Sequence, residues 1–195
     1  MPGRPNPSED DVRALVTRVV DAVTGRSATE DAVEPSPSPP GSAAIAVGAD
    51  HGGFRLKERI LFRLREAGRE VVDCGTDSTE SVDYPDFALA VARKVASGEC
   101  EAGIVIDGAG IGSAMVANKV PGVRAALCYD ISSARNSRDH NHANVLTLGA
   151  GLIGEALAWQ IVEEWLATPW GEGRHARRVA KIDALDAGRR VEEAV

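Results

Sequence analysis

AGIVIDGAGIGS, residues 102–113, decides the fold. Ala102 to Ile106 form a short apolar run closed by Asp107, the pattern of a strand buried on both faces of a parallel sheet. The second half sets glycine at 108, 110 and 112, and glycines at alternate positions let backbone N–H groups turn inward around an anion where a helix begins. No Gly-Lys-Ser/Thr ending follows, so this is not a nucleotide P-loop, and its GxGxG spacing departs from the GxGxxG of dinucleotide binders. Asp107 stands where the strand meets the loop. A carboxylate there serves either as a general base in a confined site or as a hydrogen-bonded turn residue.

Working outward, AAIAVG (43–48), EVVDCG (70–75), VRAALC (123–128) and NVLTLG (144–149) read as four further strands, and 54–67, 85–97, 113–119, 131–140 and 152–166 as helices between and after them. The alternation predicts an α/β domain over 43–195. Its core is a Rossmann-like, doubly wound, five-stranded parallel sheet with helices on both faces, followed by a C-terminal helical arm from about 171. Ahead of it, Val12, Leu15, Val16, Val19, Val20 and Val23 share one stripe of an amphipathic helical extension within 1–26, which Ser8 or Asp10 can cap. A Pro/Ser-rich linker over 27–42 follows, ending AVEPSPSPPGS. A short helix on such a tether cannot bury its stripe by itself, so it docks on its own domain or on a partner.

The 195 residues carry 44% apolar and 26% charged side chains and a net charge of −7 with the signs interspersed. Without a basic block, neither nucleic acid nor an anionic membrane is an expected partner. No stretch reaches the ~18 to 20 apolar residues of a bilayer span, and no basic-then-apolar leader opens the sequence, so a cytoplasmic location is expected. Cys74, Cys100 and Cys128 are too few and too scattered for a disulfide framework and form no CxxC pair, so they read as reduced thiols.

Ligands of such a sheet sit at the carboxyl ends of its strands. Strand one runs into Asp50-His51-Gly52-Gly53, where a carboxylate can hold sugar hydroxyls and an imidazole can help hold a phosphate, although Asp is also a common cap and the glycines a common turn. The four histidines fall in three segments, at 51, at 140 and 142, and at 175, and this grouping near predicted strand ends suits acid–base and phosphate work. His140 and His142 diverge on a helix and no third ligand is placed by sequence, so no metal is expected. Arg174 and Arg178, four apart, read as one helix face apt for a phosphate monoester, or as a solvated charged face.

Taken together, GADHGGFRLKERI, DCGTDSTESVDYPDFA, IVIDGAGIGSAMVANKVPGVRAAL, SRDHNHANVLTLGAGLIG and TPWGEGRHARRV resemble, in order, the type B ribose-5-phosphate isomerase and galactose-6-phosphate isomerase family over about 43–186. The resemblance implies an aldose–ketose isomerase of a phosphorylated sugar, most simply ribose 5-phosphate to ribulose 5-phosphate through a cis-enediolate. It implies no cofactor, and a homodimer or tetramer with active sites shared between chains. It assigns Asp50 to sugar hydroxyls, His51 to the phosphate, Tyr84 to the cleft wall and Asn118 to substrate binding. Gly108, Gly110 and Gly112 become the loop whose amides meet the enediolate, and His140 the ring-opening residue with Asn141 beside it. Arg174, His175 and Arg178 become a phosphate clamp reaching the neighbouring subunit's site.

Four positions depart from that pattern. Asp107 replaces the cysteine that many members use as base, Ala109 a threonine, Ser113 a glutamate used by others, and Gly151 an arginine near the phosphate. Aspartate at 107 resembles the A-type subunit of galactose-6-phosphate isomerase, which works beside a B-type chain. The expectation is that Asp107 is the base, with Ser113 in the catalytic group. A solvated aspartate titrates near ~3.9, too low for a carbon acid, so burial beside Ile106 and Ile111 would have to raise it. The alternatives are a non-catalytic or partner-dependent sugar-phosphate binding subunit, or an isomerase of another four- to six-carbon sugar phosphate. The extension resembles encapsulation peptides of bacterial microcompartments, which makes a shell or cargo protein the expected partner of residues 8–26.

Overall fold

The computed structural model describes residues 44–171 and 173–186, so the expected helical extension over 1–26 and linker over 27–42 lie outside the described residues. The elements alternate as β1 (Ile45–Ala49), α1 (Phe54–Glu66), β2 (Val71–Asp73), α2 (Tyr84–Ala96), β3 (Ala102–Asp107), α3 (Ile111–Ala117), β4 (Ala125–Leu127), α4 (Ile131–Asp139), β5 (Val145–Gly149) and α5 (Glu155–Ala167). A 3-10 turn at Gly173–His175 then leads into α6 (Ala176–Asp186).

The strands lie parallel in the order β2-β1-β3-β5-β4. β1, β3 and β5 are central and buried throughout, which is why they read as unbroken apolar runs. β2 and β4 pair on one side only, and each keeps three residues where six were expected, all of them half-buried or exposed. An edge strand gains half the ladder bonds of a central one, and water takes up what the sheet does not.

Side chains alternate across the sheet into two cores. Val47, Ile104, Ile106, Leu146 and Leu148 pack with Ile60, Leu61 and Leu64 of α1, Ala134 of α4 and Ile161 and Trp165 of α5. On the other face, Ala46, Val105 and Val145 meet Val91, Ala92 and Val95 of α2 and Ala117 of α3. α2 lies so close that a methyl group on Gly103 would stand 2.6 Å from Val91. The two steps of the chain toward β2's edge, β1 to β2 and β4 to β5, pass over the first face, and the two steps toward β4's edge, β2 to β3 and β3 to β4, pass over the second. A single crossover hand requires that division.

The helical boundaries shift at two functional places. α3 starts at Ile111, inside the glycine run, because Gly110 with φ +77° makes the turn by itself. The arm is not one helix: Arg174 lies in the 3-10 turn and Arg178 in α6, so the two arginines do not share the helix face expected of them.

Candidate active site

After β1 the chain turns to one face of the sheet and after the adjacent β3 to the other, which opens a crevice at their carboxyl ends. Asp50 and Asp107 stand at its two lips, 8% and 5% exposed. The lips are held together by glycine. A methyl group on Gly53 would lie 2.2 Å from Ile106 O, and one on Gly52 would lie 3.3 Å from Asp50 Oδ1 and 3.5 Å from Gly108 N. Asp50 Oδ1 accepts from Gly53 N at 2.9 Å and so caps the turn into α1. His51 is half-buried, and its Nδ1 accepts from Val82 N at 3.2 Å, which puts the proton of the neutral ring on Nε2.

Asp107 is held more completely than the sequence suggested. Its Oδ1 accepts from Ala109 N at 2.7 Å and from Gly110 N, and its Oδ2 accepts from Ser113 N at 3.1 Å and from the Ser113 hydroxyl. A carboxylate offers about four lone-pair sites, and all four are taken. The loop expected to gather its amides around an external anion therefore holds Asp107's own carboxylate, and Gly110's amide is spent on it. The Gly108 amide makes no hydrogen bond to a described residue. Burial comes from the loop backbone and not from Ile111, which is 47% exposed, so the apolar wall expected beside Asp107 is missing on that side.

β4 and β5 brace the loop from outside. Ala150 N donates to Asp107 O at 2.8 Å and Gly151 N to Gly108 O at 3.0 Å, while the Tyr129 hydroxyl donates to Ala109 O at 2.8 Å. Tyr129 was missed by the sequence reading, although it follows β4 at the same end of the sheet as Asp50 and Asp107. Tyr84 is 38% exposed and lies against Gly112, where a methyl group would stand 2.6 Å from its ring.

The remaining candidates gather elsewhere. α4 runs back along the sheet, so its last turn lies at the amino ends of the strands, where Asn144 O accepts from Gly103 N beside the start of β3. Only His51 of the four histidines is at the carboxyl end. The expected grouping of histidines at the ligand-binding ends fails within one chain, because a helix following a strand returns its own end to the opposite edge. With six residues at ~3.3 Å each, β3 separates the two groups by roughly 20 Å.

At the amino end the His140 ring stacks on His175, centroids 4.2 Å apart and 6° from parallel. Its Nδ1 lies 2.8 Å from Asn136 Nδ2. Partial desolvation, then the neighbouring His140, Arg174 and Arg178, push the His175 imidazole below its ordinary value. His142, with φ +50°, stacks on Trp170 at 4.1 Å. Desolvation and the charges of Arg124 and Arg138 lower its imidazole too, against the opposing pull of Asp183. Arg124 ties this end together, donating to His142 O at 2.9 Å and pairing with Asp183 of α6 at 2.8 Å. Asn118 also belongs here: its amide bonds Ala114 O and Ala125 O, and its oxygen accepts from Ala125 N, so the side chain expected to bind substrate joins α3 to β4.

Among the described residues no group of His, Cys, Asp and Glu is close enough together to hold a metal ion. All three cysteines are free thiols, and desolvation pushes each above its ordinary value, which suits inert packing.

The family model described as Ribose/Galactose Isomerase matches residues 45–182. The chain is 47% identical over 145 residues to ribose-5-phosphate isomerase B of Escherichia coli, covering 74% of this chain and 97% of that protein. It is 39% identical over 152 residues to ribose-5-phosphate isomerase B of Mycobacterium tuberculosis, covering 77% and 92%. Among solved structures, ribose-5-phosphate isomerase B of Clostridium thermocellum superposes with a TM-score of 0.74 at 52% identity, over 74% of this chain and 98% of that one. The type B enzyme of Trypanosoma cruzi gives 0.73 at 46%, over 75% and 98%.

Proposed function

The chain belongs to the ribose/galactose isomerase family, and from that premise we propose that it interconverts ribose 5-phosphate and ribulose 5-phosphate. The observation that carries the reading is 47% identity across 97% of the length of the Escherichia coli ribose-5-phosphate isomerase B. The two buried carboxylates facing a glycine loop at the β1/β3 crevice support it.

In the open-chain aldose a proton leaves C2 while the C1 oxygen takes up negative charge. The cis-enediolate is then protonated at C1, the proton of the C2 hydroxyl passes to the C1 oxygen, and the carbonyl ends at C2. Asp107 carries the proton between the carbons. Three of its lone pairs are fixed by amides, but the fourth is met by the Ser113 hydroxyl, which turns about its Cβ–Oγ bond at little cost and so frees Oδ2. The uncommitted Gly108 amide meets the developing oxyanion. Asp50 keeps its second oxygen for sugar hydroxyls, His51 offers Nε2–H to the phosphate, and Tyr84 walls the cleft against Gly112. His140, with Asn141, opens the sugar ring, and Arg174, His175 and Arg178 clamp the phosphate. These last residues reach the crevice from a second copy of the chain, in a twofold homodimer whose opposite sheet ends complete each other, alone or within a tetramer.

One observation favours a second reading. A carboxylate with every lone pair taken is that of a loop organiser, and the chain would then bind a sugar phosphate and turn it over only beside a partner subunit. The reading extends to a cytoplasmic enzyme delivered into a bacterial microcompartment by residues 8–26 binding a shell or cargo protein, an idea that fails if deleting 1–40 leaves localisation unchanged. The primary test assays the purified chain on ribose 5-phosphate and on four- and six-carbon aldose phosphates. Turnover of ribose 5-phosphate is expected; preference for another sugar moves the substrate, and binding without turnover selects the second reading.

A further inference from the structure

α1 and the loop leading into α5 enclose a cavity of about 480 Å³ whose lining includes Gly52, Arg55, Leu56, Arg59, Ile153 and Glu155. Its charge is not balanced. Glu155 is answered twice, by Arg59 Nε at 3.6 Å and by Arg63 Nη2 at 3.9 Å, while Arg55 makes no ion pair or hydrogen bond with a described residue. Two arginines against one glutamate leave the lining positive, and Leu56 and Ile153 give it an apolar wall.

The cavity also adjoins the crevice. Gly52, on its wall, is the residue whose missing side chain lets Asp50 Oδ1 and Gly108 N approach each other. A ligand with its reacting carbons over Asp50 and Gly108 therefore has the cavity as the space for its far end. The guanidinium is the group for a terminal oxyanion, since its planar fork matches phosphate and carboxylate oxygens and keeps its charge at any working pH.

We propose that this cavity is an anion subsite of the catalytic crevice, in which Arg55 holds the phosphate, or an equivalent terminal anion, of a linear sugar derivative whose other end lies over Asp50 and Gly108. The assignment rests on the crevice being the active site. Arg55 then meets, from its own chain, the phosphate that Arg174 and Arg178 of the second copy clamp from the other side, and the arginine closest to the reacting chain sets which chain length fits.

Arg55→Gln in the full-length protein tests this, because the position is an exposed one on a helix and glutamine keeps the helix. KM for ribose 5-phosphate and the inhibition constant of inorganic phosphate should both rise about tenfold, as for loss of one charge-assisted hydrogen bond, with kcat within about twofold. Arg63→Gln, outside the lining, should change neither. Inorganic phosphate should compete with the sugar phosphate; non-competitive inhibition means a separate anion site and overturns the proposal, as do unchanged constants in Arg55→Gln. Amide NMR of the wild type with inorganic phosphate keeps the two readings apart. Shifts at Gly52 and Leu56 that vanish in Arg55→Gln support the subsite even if no sugar is isomerised, and their absence sinks it even if one is.

Discussion

The carboxyl and amino ends of the sheet hold their polar residues by different means. At the carboxyl end, Asp50 and Asp107 are fixed by backbone amides within six residues of themselves, and glycines bring the two turns into contact. At the amino end, His140, His142, Trp170 and Arg124 are held by stacked rings and an ion pair to α6, contacts that join distant segments. Local backbone bonds make one end rigid before any ligand arrives. The other end depends on an arm staying in place, and the length of β3 keeps the two ends apart within one chain.

The largest expected effect lies at the rigid end. Asp107→Asn should lower kcat about a thousandfold with KM nearly unchanged, the range of a lost acid–base group. A mutant with wild-type rates removes Asp107 from the chemistry and leaves it a loop organiser. His140→Ala should lose about a hundredfold. Mixing the two inactive proteins after reversible dissociation then breaks or sharpens the comparison: a shared site regains about a quarter of wild-type activity, because half the dimers carry one intact site of two. No recovery means that the ends work separately.

Gly53→Ala should cost about 3 kcal/mol in denaturant melts, because the methyl group meets a carbonyl at 2.2 Å that the sheet cannot move. The arm should respond to pH. His142 and His175 have folded-state values lowered below their ordinary ~6.5, so their contribution is fully present above that pH and is lost as the pH falls through the lowered values. Protection factors of the α6 amides, which correct for the slower intrinsic exchange at lower pH, should fall between neutral and mildly acidic pH while those in β3 do not; an equal fall in both would mean global unfolding instead. Asp183→Asn should have the smallest effect, under about 1 kcal/mol, since its partner is largely covered but Asp183 is 45% exposed.

The rigid end was largely legible in the sequence, because apolar runs and alternating glycines encode buried strands and turns directly. Asp50, His51, Tyr84, Asp107 and the three loop glycines do meet there. Two things were not legible. The first is the company His140 keeps: it was grouped with the strand ends that bind ligands, but α4 returns it to the amino edge of the sheet, where it stacks on His175 of the arm. The second is the partner of a buried polar group: nothing in the spacing of Asp107 and Ser113 says that the loop closes on its own carboxylate, and nothing in Asn118 says that it is spent on Ala114 and Ala125. Tyr129 left a signal that was passed over, an aromatic hydroxyl directly after a strand that ends beside the site.

The strand order has a consequence for synthesis. β5 enters between β3 and β4, so the chain leaves that slot open while β4 and α4 are made and fills it only with residues 145–149. Until then β3 presents a bare edge of buried character from Ala102 to Asp107. A ribosome stalled before Val145 would therefore release a chain with an adhesive, unpaired strand at its centre, and the last strand to emerge is the one that makes the molecule safe from its own copies.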